Sequence, residues 1–273
     1  MPFDFDAETA VTSLGDGRYS AELDRSWWVQ RGPNGGYLAA IVLRALTETV
    51  ADPERTPRSL TVHYASPPGD GALELATTIE REGRSLTTTS ARFEQDGRLV
   101  GLALAAFSKP RPGPEFNDLP VPDAPPPEEC PAPELVTPTG FVPPAIATRW
   151  ENRIVHGGQP GVPTGEAIVA RWIRLPEGRG VDHLVASAIT DAVIPAVFSR
   201  MGADIVVPTV DLTVHFRAGL PAPGARPDDW VYAQFTTGAV AEGFLEEDGQ
   251  VWSRDGVLLA QSRQLAAVFP LPT

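Results

Sequence analysis

A strongly apolar segment with helical periodicity occurs twice in this sequence, at residues 36–50 and 183–201, and a series of alternating polar and apolar residues follows each time. Neither segment has a polar face wide enough to lie against water, so each is predicted to be a helix enclosed by other parts of the chain. The alternating residues have the period of two that is typical of strands. The pattern therefore predicts the same helix-and-strand unit twice over.

Short stretches of sequence support a duplication. TVHY at 61–64 matches TVHF at 213–216, and QDGRLVGLALAAF at 95–107 resembles RDGVLLAQSRQLAAVF at 254–269, in the same order. Between the copies, residues 110–144 contain thirteen of the 29 prolines, a composition typical of an extended linker. The predicted organisation is an N-terminal repeat at 1–109, a Pro-rich linker at 110–145 and a C-terminal repeat at 146–273.

A helix that cannot face water on any side needs a curved antiparallel sheet wrapped around it. Two such units cover their exposed strand edges if the sheets join edge to edge into one continuous sheet. The predicted fold class is therefore α+β, a double hotdog made of two tandem hotdog repeats, each with a long central helix.

Asp191 is the only carboxylate within the second apolar segment, four residues before Pro195. Proline lacks the N–H that would bond to the carbonyl of residue 191, so the helix is expected to kink or restart near this position. A carboxylate at a helix break in apolar surroundings can be held by free backbone amides or have its pKa raised by burial, and both are typical of reactive sites. The alternative is that Asp191 simply N-caps a second helix.

The motifs ITDAVIPAV at 189–197, PTVDLTVHF at 208–216 and QSRQLAAVF at 261–269 resemble those of the type II (TesB-type) acyl-CoA thioesterases, which are double hotdog proteins. In that family an Asp on the second central helix, a Thr entering the next strand and a Gln on the last strand form a hydrogen-bonded network around a water. The resemblance implies that Asp191, Thr209 and Gln264 have these roles, in the hydrolysis of an acyl-CoA to a free acid and CoA.

The duplication predicts that this network occurs once per chain. Aligning TVHF with TVHY places Pro57 opposite Thr209, and aligning the two Asp-Gly turns places Ala105 opposite Gln264. The first apolar segment has no acidic residue before Glu48. The second repeat is therefore expected to carry the network, with the first supplying the facing wall.

Four further residues are candidates for substrate binding. Gly35 and Gly36 open the first helix, where backbone amides could receive an oxyanion, although a tight turn without a ligand explains them equally well. Tyr37 could line an acyl pocket or pack in the core. Arg58 could bind a phosphate of CoA. No metal or cofactor is expected, because the four histidines lack metal-ligand spacing.

A formal charge of −13 argues against a nucleic-acid partner, and no apolar run approaches the length of a membrane span. The acidic amino terminus lacks the apolar core of a signal peptide, so a cytoplasmic protein is expected, with Cys130 as an exposed bystander. A dimer of double hotdogs is a possible assembly. Two alternatives to the hydrolase stay open: a hotdog hydratase or dehydratase, which uses a His with an Asp, and a non-catalytic acyl-CoA or lipid-binding module.

Overall fold

A computed structural model describes residues 4–134, 143–159, 162–202 and 204–271. Its helices and strands, in chain order, are α1 Phe5–Glu8, β1 Thr12–Gly15, β2 Arg18–Leu23, α2 Gly35–Val50, β3 Thr56–Tyr64, β4 Gly71–Glu82, β5 Leu86–Gln95, β6 Arg98–Ser108, β7 Glu151–His156, β8 Ile168–Arg174, α3 His183–Ile189, α4 Phe198–Met201, β9 Ile205–Val206, β10 Thr209–Phe216, β11 Val231–Thr236, β12 Val240–Ala241, β13 Phe244–Ser253, β14 Leu258–Ala267 and β15 Phe269–Pro270.

One antiparallel sheet runs through both repeats. The first repeat contributes strands in the order β1-β2-β4-β5-β6-β3, and the second continues in the order β10-β14-β13-β11-β8-β7, with β12 paired to β13. The second order mirrors the first, with β3 and β10 as the two central strands. This arrangement, with an apolar helix on the concave side, confirms the predicted double hotdog with one continuous sheet.

The junction between the repeats lies where β3 pairs with β10. Thr61 and Thr213 are directly opposite, with their hydroxyl oxygens 3.0 Å apart. These two residues occupy the same place in TVHY and TVHF. The junction therefore lies on an approximate twofold axis that relates the two copies.

Helix α2 is the long central helix predicted for the first repeat. Asn34 caps it by accepting a hydrogen bond from the backbone N–H of Tyr37 at 3.0 Å, and it ends where Ala51 adopts a left-handed conformation. Ten of its sixteen residues are buried, against the sheet and against α3. Tertiary packing on nearly every face stabilises this helix.

The second central helix is much shorter than predicted. Helix α3 ends at Ile189, and α4 begins only at Phe198, so the apolar segment at 183–201 is interrupted rather than continuous. The last amides of the first part, those of Asp191 and Ala192, bond to carbonyls three residues back, which tightens the chain at the break predicted from Pro195. Within the described ranges, no helix is both long and apolar enough to cross a membrane.

The described part of the predicted linker packs on the outer face of the second repeat. The indole N–H of Trp172 donates to the Pro125 carbonyl at 2.8 Å, and the amide of Ile154 donates to the Pro131 carbonyl at 2.7 Å. Cys130 is only 8% exposed, so the prediction of an exposed cysteine is wrong. Its side chain joins an apolar cluster with Trp172 and Trp252. Residues 135–142 of the predicted linker lie outside the described residues.

The alternating residues at 240–246 predict one strand that ends at Glu246, but the structure divides this stretch between β12 and β13. The turn lies earlier, at Glu242 and Gly243, which both have positive φ, and β13 then continues to Ser253. Gly249 lies inside the strand, at a position where a Cβ would come 2.7 Å from the ring of Phe235. Glycine here serves close packing rather than a turn.

Candidate active site

Asp191 lies against the start of α2. Pro195 has no N–H to donate to the backbone carbonyl of Asp191. This carbonyl instead accepts a hydrogen bond from the side-chain amide of Asn34 at 2.7 Å. The same amide donates to the Asp191 carboxylate at 2.9 Å, and the backbone N–H of Gly36 donates to it at 3.1 Å. Asp191 therefore does not N-cap a second helix: the residue at the start of α4 is Val197, which forms no side-chain cap.

Two glycines let the helices approach closely enough for these bonds. A Cβ on Gly35 would lie 2.9 Å from Oδ2 of Asp191, and a Cβ on Gly36 would lie 2.5 Å from the carbonyl oxygen of Ala188. Any side chain at these positions would push α2 and α3 apart. The sequence Asn34-Gly35-Gly36 is thus adapted to hold the carboxylate of the other repeat.

The pKa of Asp191 is raised to about 6, chiefly because burial disfavours the charged form. Hydrogen bonds from Gly36, Gly35 and Asn34 oppose this shift by stabilising the carboxylate. The positive end of the α2 dipole acts in the same direction. The balance gives a carboxylate that is mostly ionised at neutral pH and yet a stronger base than an exposed aspartate.

The structure brings Thr209 and Gln264 together. The hydroxyl of Thr209, at the start of β10, donates to the side-chain carbonyl of Gln264 on β14 at 3.1 Å. Gln264 is only 4% exposed, and its neighbour across the sheet is Leu212. The adjacent strands β10 and β14 therefore place this pair on the inner face of the second repeat.

A third member of this group, Glu247, is missing from the sequence-based prediction. The amide nitrogen of Gln264 donates to Oε1 of Glu247 at 2.8 Å, and the backbone N–H of Ala196 donates to Oε2 at 2.5 Å. Glu247 is 4% exposed, and burial raises its pKa to about 7, with the charge of Asp191 adding to the shift. Alternation with the buried residues Leu245 and Val251 is the signal that places Glu247 on the inner face.

Asp191 and the Thr209–Gln264 pair belong to one polar region, but they are not directly bonded. Among the hydrogen bonds of the described residues, none joins Asp191 to Thr209 or to Gln264. The charge of Asp191 instead acts on Glu247 and raises its pKa. The backbone amide that binds Glu247 is that of Ala196, which lies five residues after Asp191 in the chain.

Tyr64 contributes to this region from the first repeat. Its hydroxyl donates to the carbonyl of Gly35 at 2.7 Å. Burial raises its pKa well above the ordinary value, and the charges of Asp191 and Asp211 raise it further. The candidate site is therefore built from both repeats, with the polar chain on one side and the start of α2 on the other.

Tyr37 is not part of this region. Its ring is fully buried and stacks on Trp27 with the centroids 5.1 Å apart. Its hydroxyl donates to the Glu8 carbonyl at 2.7 Å and accepts from the Asp24 amide at 3.1 Å. This placement corresponds to core packing, which was the alternative to a role in an acyl pocket.

Arg58 also lies elsewhere. It is six residues from Tyr64 along β3, a separation of about 20 Å in an extended strand. Its charge acts on His183, at the start of α3, and lowers the pKa of that histidine, which burial brings to about 4. The structure therefore places Arg58 near the start of α3, at the opposite end of that helix from Asp191.

The structure shows where the amides of Gly35 and Gly36 point and whether side chains are arranged to hold a metal ion. The amides of Gly35 and Gly36 point at Asp191 and stabilise its charge, so they are engaged by the carboxylate. Among the described residues, no group of three or more His, Cys, Asp or Glu side chains is arranged to hold a metal ion.

Known proteins are similar to this chain in sequence or in structure. The chain is 28% identical to an uncharacterized protein of Mycobacterium tuberculosis over 92% of its own length and 90% of the relative's. A protein of unknown function with a hotdog fold from Alicyclobacillus acidocaldarius is 26% identical, with full coverage of both chains and a TM-score of 0.88. The acyl-CoA thioesterase II TesB2 of Mycobacterium marinum shares the fold, at 18% identity, 99% coverage of both chains and a TM-score of 0.77.

Family models cover most of the chain. Residues 24–108 match the acyl-CoA thioesterase N-terminal domain, and residues 124–268 match the acyl-CoA thioesterase C-terminal domain. The two matches follow the two halves of the sheet. The chain therefore belongs to the acyl-CoA thioesterase family, with both domains of that family in one polypeptide.

Proposed function

We propose that this protein hydrolyses an acyl-CoA thioester to a free acid and CoA, with Asp191 as the base that activates water. The observation that carries the proposal is the position of Asp191. It is a partly buried carboxylate with a pKa of about 6, held at a helix start by Asn34 and Gly36 beside the chain formed by Thr209, Gln264 and Glu247. A base with a pKa near the working pH is the most effective general base.

In the proposed reaction, the water oxygen attacks the thioester carbonyl carbon while a carboxylate oxygen of Asp191 takes one of the water's protons. The tetrahedral intermediate then expels the CoA thiolate, which receives the proton from Asp191. Atoms balance, because one water and one thioester give one carboxylic acid and one thiol. Membership of the acyl-CoA thioesterase family supports thioester hydrolysis in general.

Thr209 and Gln264 would orient the water and meet the developing charge. The Thr209 hydroxyl uses its proton on Gln264, so its remaining lone pairs can accept a hydrogen bond from water. Gln264 uses one amide proton on Glu247, and the second is the proposed donor to the carbonyl oxygen. We assign Gly35 and Gly36 to holding the base rather than to the oxyanion, because their amides face Asp191.

The alternatives make different predictions. A hydratase of this fold needs a histidine beside the aspartate, whereas the buried histidine of α3, His183, packs its ring on Phe216 at the opposite end of that helix from Asp191. A non-catalytic binding module would bind acyl-CoA without releasing thiol. The first alternative conflicts with the placement of His183, and the second requires an assay.

The deciding experiment measures free thiol released from acyl-CoAs of varied chain length by the wild-type protein and by Asp191→Asn. We expect turnover by the wild type and a loss of about 10²- to 10⁴-fold in the variant, the usual contribution of a general base. Glu48→Gln is the matched control, because it removes an exposed carboxylate from the first central helix. A wild type that turns over no member of the panel would refute the hydrolase.

A further inference from the structure

The hydrogen bonds around Gln264 have a direction that a carboxylate imposes. An ionised carboxylate can only accept hydrogen bonds, so the group of Gln264 that faces Glu247 must be its amide nitrogen. The amide oxygen of Gln264 then faces Thr209, whose hydroxyl has to donate to it. The orientation of both side chains follows from the one charge at their end.

The other end of Glu247 is tied to the backbone. Its Oε2 accepts from the N–H of Ala196, the residue after Pro195, and this amide cannot turn around as a side chain can. Glu247 thus joins the break in the second central helix to strand β13, and from there to Gln264 on β14 and Thr209 on β10. Distances of 2.5, 2.8 and 3.1 Å connect the four residues without a gap.

We propose that Glu247 is a positioning residue, which fixes the direction of the hydrogen bonds through Gln264 and Thr209 and so presents an acceptor and a donor to the reacting water and carbonyl. This inference rests on the proposed hydrolysis for its effect on rate. The direction of the hydrogen bonds does not depend on it.

Replacing Glu247 by Gln should reverse the whole chain. The new amide oxygen has to face the fixed N–H of Ala196, so the new amide nitrogen faces Gln264. The Gln264 amide must then rotate to present its oxygen, and its nitrogen turns toward Thr209. The fold loses no packed volume, but Gln264 no longer offers the donor that the proposed reaction needs.

Protonation of Glu247 should have the same consequence as this substitution, because a protonated carboxyl donates where the ionised form accepts. Burial is the main cause of its raised pKa, while Ala196 and Gln264 hold the ionised form and the charges of Asp191 and Glu246 oppose it. Activity should therefore depend on two ionisations on its acid side, at Asp191 and at Glu247, and Glu247→Gln should retain only one of them.

The kinetic test compares Glu247→Gln, Gln264→Ala and the double variant over pH 5 to 9, with the free-thiol assay. We expect kcat/KM of Glu247→Gln to fall by about 10- to 100-fold, the order of a lost transition-state hydrogen bond. In the Gln264→Ala background the same change should have less than about a twofold effect, because Glu247 acts through Gln264. Equal losses in both backgrounds, or wild-type activity in Glu247→Gln, would overturn the proposal.

Thr89→Val is the matched control. Thr89 on β5 faces Ala105 across the sheet, as Glu247 on β13 faces Gln264, and it is fully buried. This control substitutes a polar residue at the same place in the first repeat, so it measures the cost of disturbing the inner face alone. We expect its kcat/KM to stay within about twofold of wild type.

A second measurement is independent of activity. The side-chain amide signals of Gln264, identified by their loss in Gln264→Ala, should titrate near pH 7 in ¹⁵N–¹H NMR spectra of the wild type and should not in Glu247→Gln. If the chemical shifts of these amide signals do not change near pH 7 in the wild type, the positioning role is refuted even in an active enzyme. If the amide signals titrate but no acyl-CoA is hydrolysed, the hydrolase proposal fails and the hydrogen-bond direction stands.

Discussion

The two repeats share a scaffold and differ at the positions that carry polar chemistry. Gln264 lies between Leu212 and Glu247 in the second half of the sheet, and the equivalent residue of the first half lies between Leu60 and Thr89. The three polar positions of the second repeat and their first-repeat counterparts are Thr209 and Pro57, Gln264 and Ala105, and Glu247 and Thr89. The first repeat thus has the same strand order and register without the polar chain.

The helix starts differ in a corresponding way. In the first repeat, Tyr64 donates a hydrogen bond to the carbonyl of Gly35. In the second, Phe216 occupies the place of Tyr64 and packs on the ring of His183, with the centroids 5.2 Å apart. An aromatic contact therefore lies at the start of α3, whereas a carboxylate lies at the start of α2. One helix start has become a polar site and the other a packed core.

The largest effect should come from adding a side chain where α2 and α3 are in close contact. In Gly36→Ala the new Cβ would lie 2.5 Å from the carbonyl oxygen of Ala188, so α2 and α3 must separate. We expect the free energy of unfolding to fall by about 3 kcal/mol, the upper range for overpacking, with most of the activity lost. Leu184→Ala tests the equivalent position of α3, where the residue is only partly buried. A smaller loss of unfolding free energy in Gly36→Ala than in Leu184→Ala, in chemical denaturation, would contradict the comparison.

Gln264→Ala makes the second repeat resemble the first at its central polar position. We expect kcat/KM to fall by about 100-fold, as for loss of one donor to a developing charge. Ala105→Ser is the control, since it changes the matching residue of the first repeat, where no polar chain is present to disturb. The two variants assayed side by side should differ by at least tenfold. Similar activities would mean that the repeats do not differ in function at this position.

Asp191→Asn should increase stability at neutral pH. The folded pKa of about 6 lies above the ordinary value of 3.8, so protonation favours the folded state, and this contribution is lost as pH rises from about 4 to above 6. The free energy of unfolding of the variant should therefore exceed that of the wild type by up to ~3 kcal/mol at pH 7, which corresponds to raising the pKa from 3.8 to about 6, and match it near pH 4. Urea denaturation at both pH values measures this difference, and a variant less stable at pH 7 would contradict it.

The smallest effect should come from Tyr64→Phe, which copies the second repeat's Phe216 into the first. The Gly35 carbonyl loses one hydrogen bond, which costs about 1 kcal/mol of unfolding free energy. We expect less than a tenfold change in kcat/KM, because α2 still holds Asp191 through Asn34 and Gly36. Phe216→Tyr is the reciprocal control and should not raise activity. A loss approaching that of Asp191→Asn would show that the tyrosine acts directly.

Local features of the sequence are enough to predict much of this molecule. The duplication, the alternating strands and the break before Pro195 all follow from periodicity and covalent geometry, which act between near neighbours. The alternation that places Glu247 on the inner face is also a local pattern, although the strand predicted from sequence ends one residue earlier, at Glu246. Only the tertiary structure decided which groups meet. The bond from Gly36 to Asp191 joins residues 155 apart in the chain, and it diverts amides that the sequence alone left free for an oxyanion. The same holds for the burial of Cys130 and the distance of Arg58 from Asp191, because partners and exposure depend on how separate segments pack.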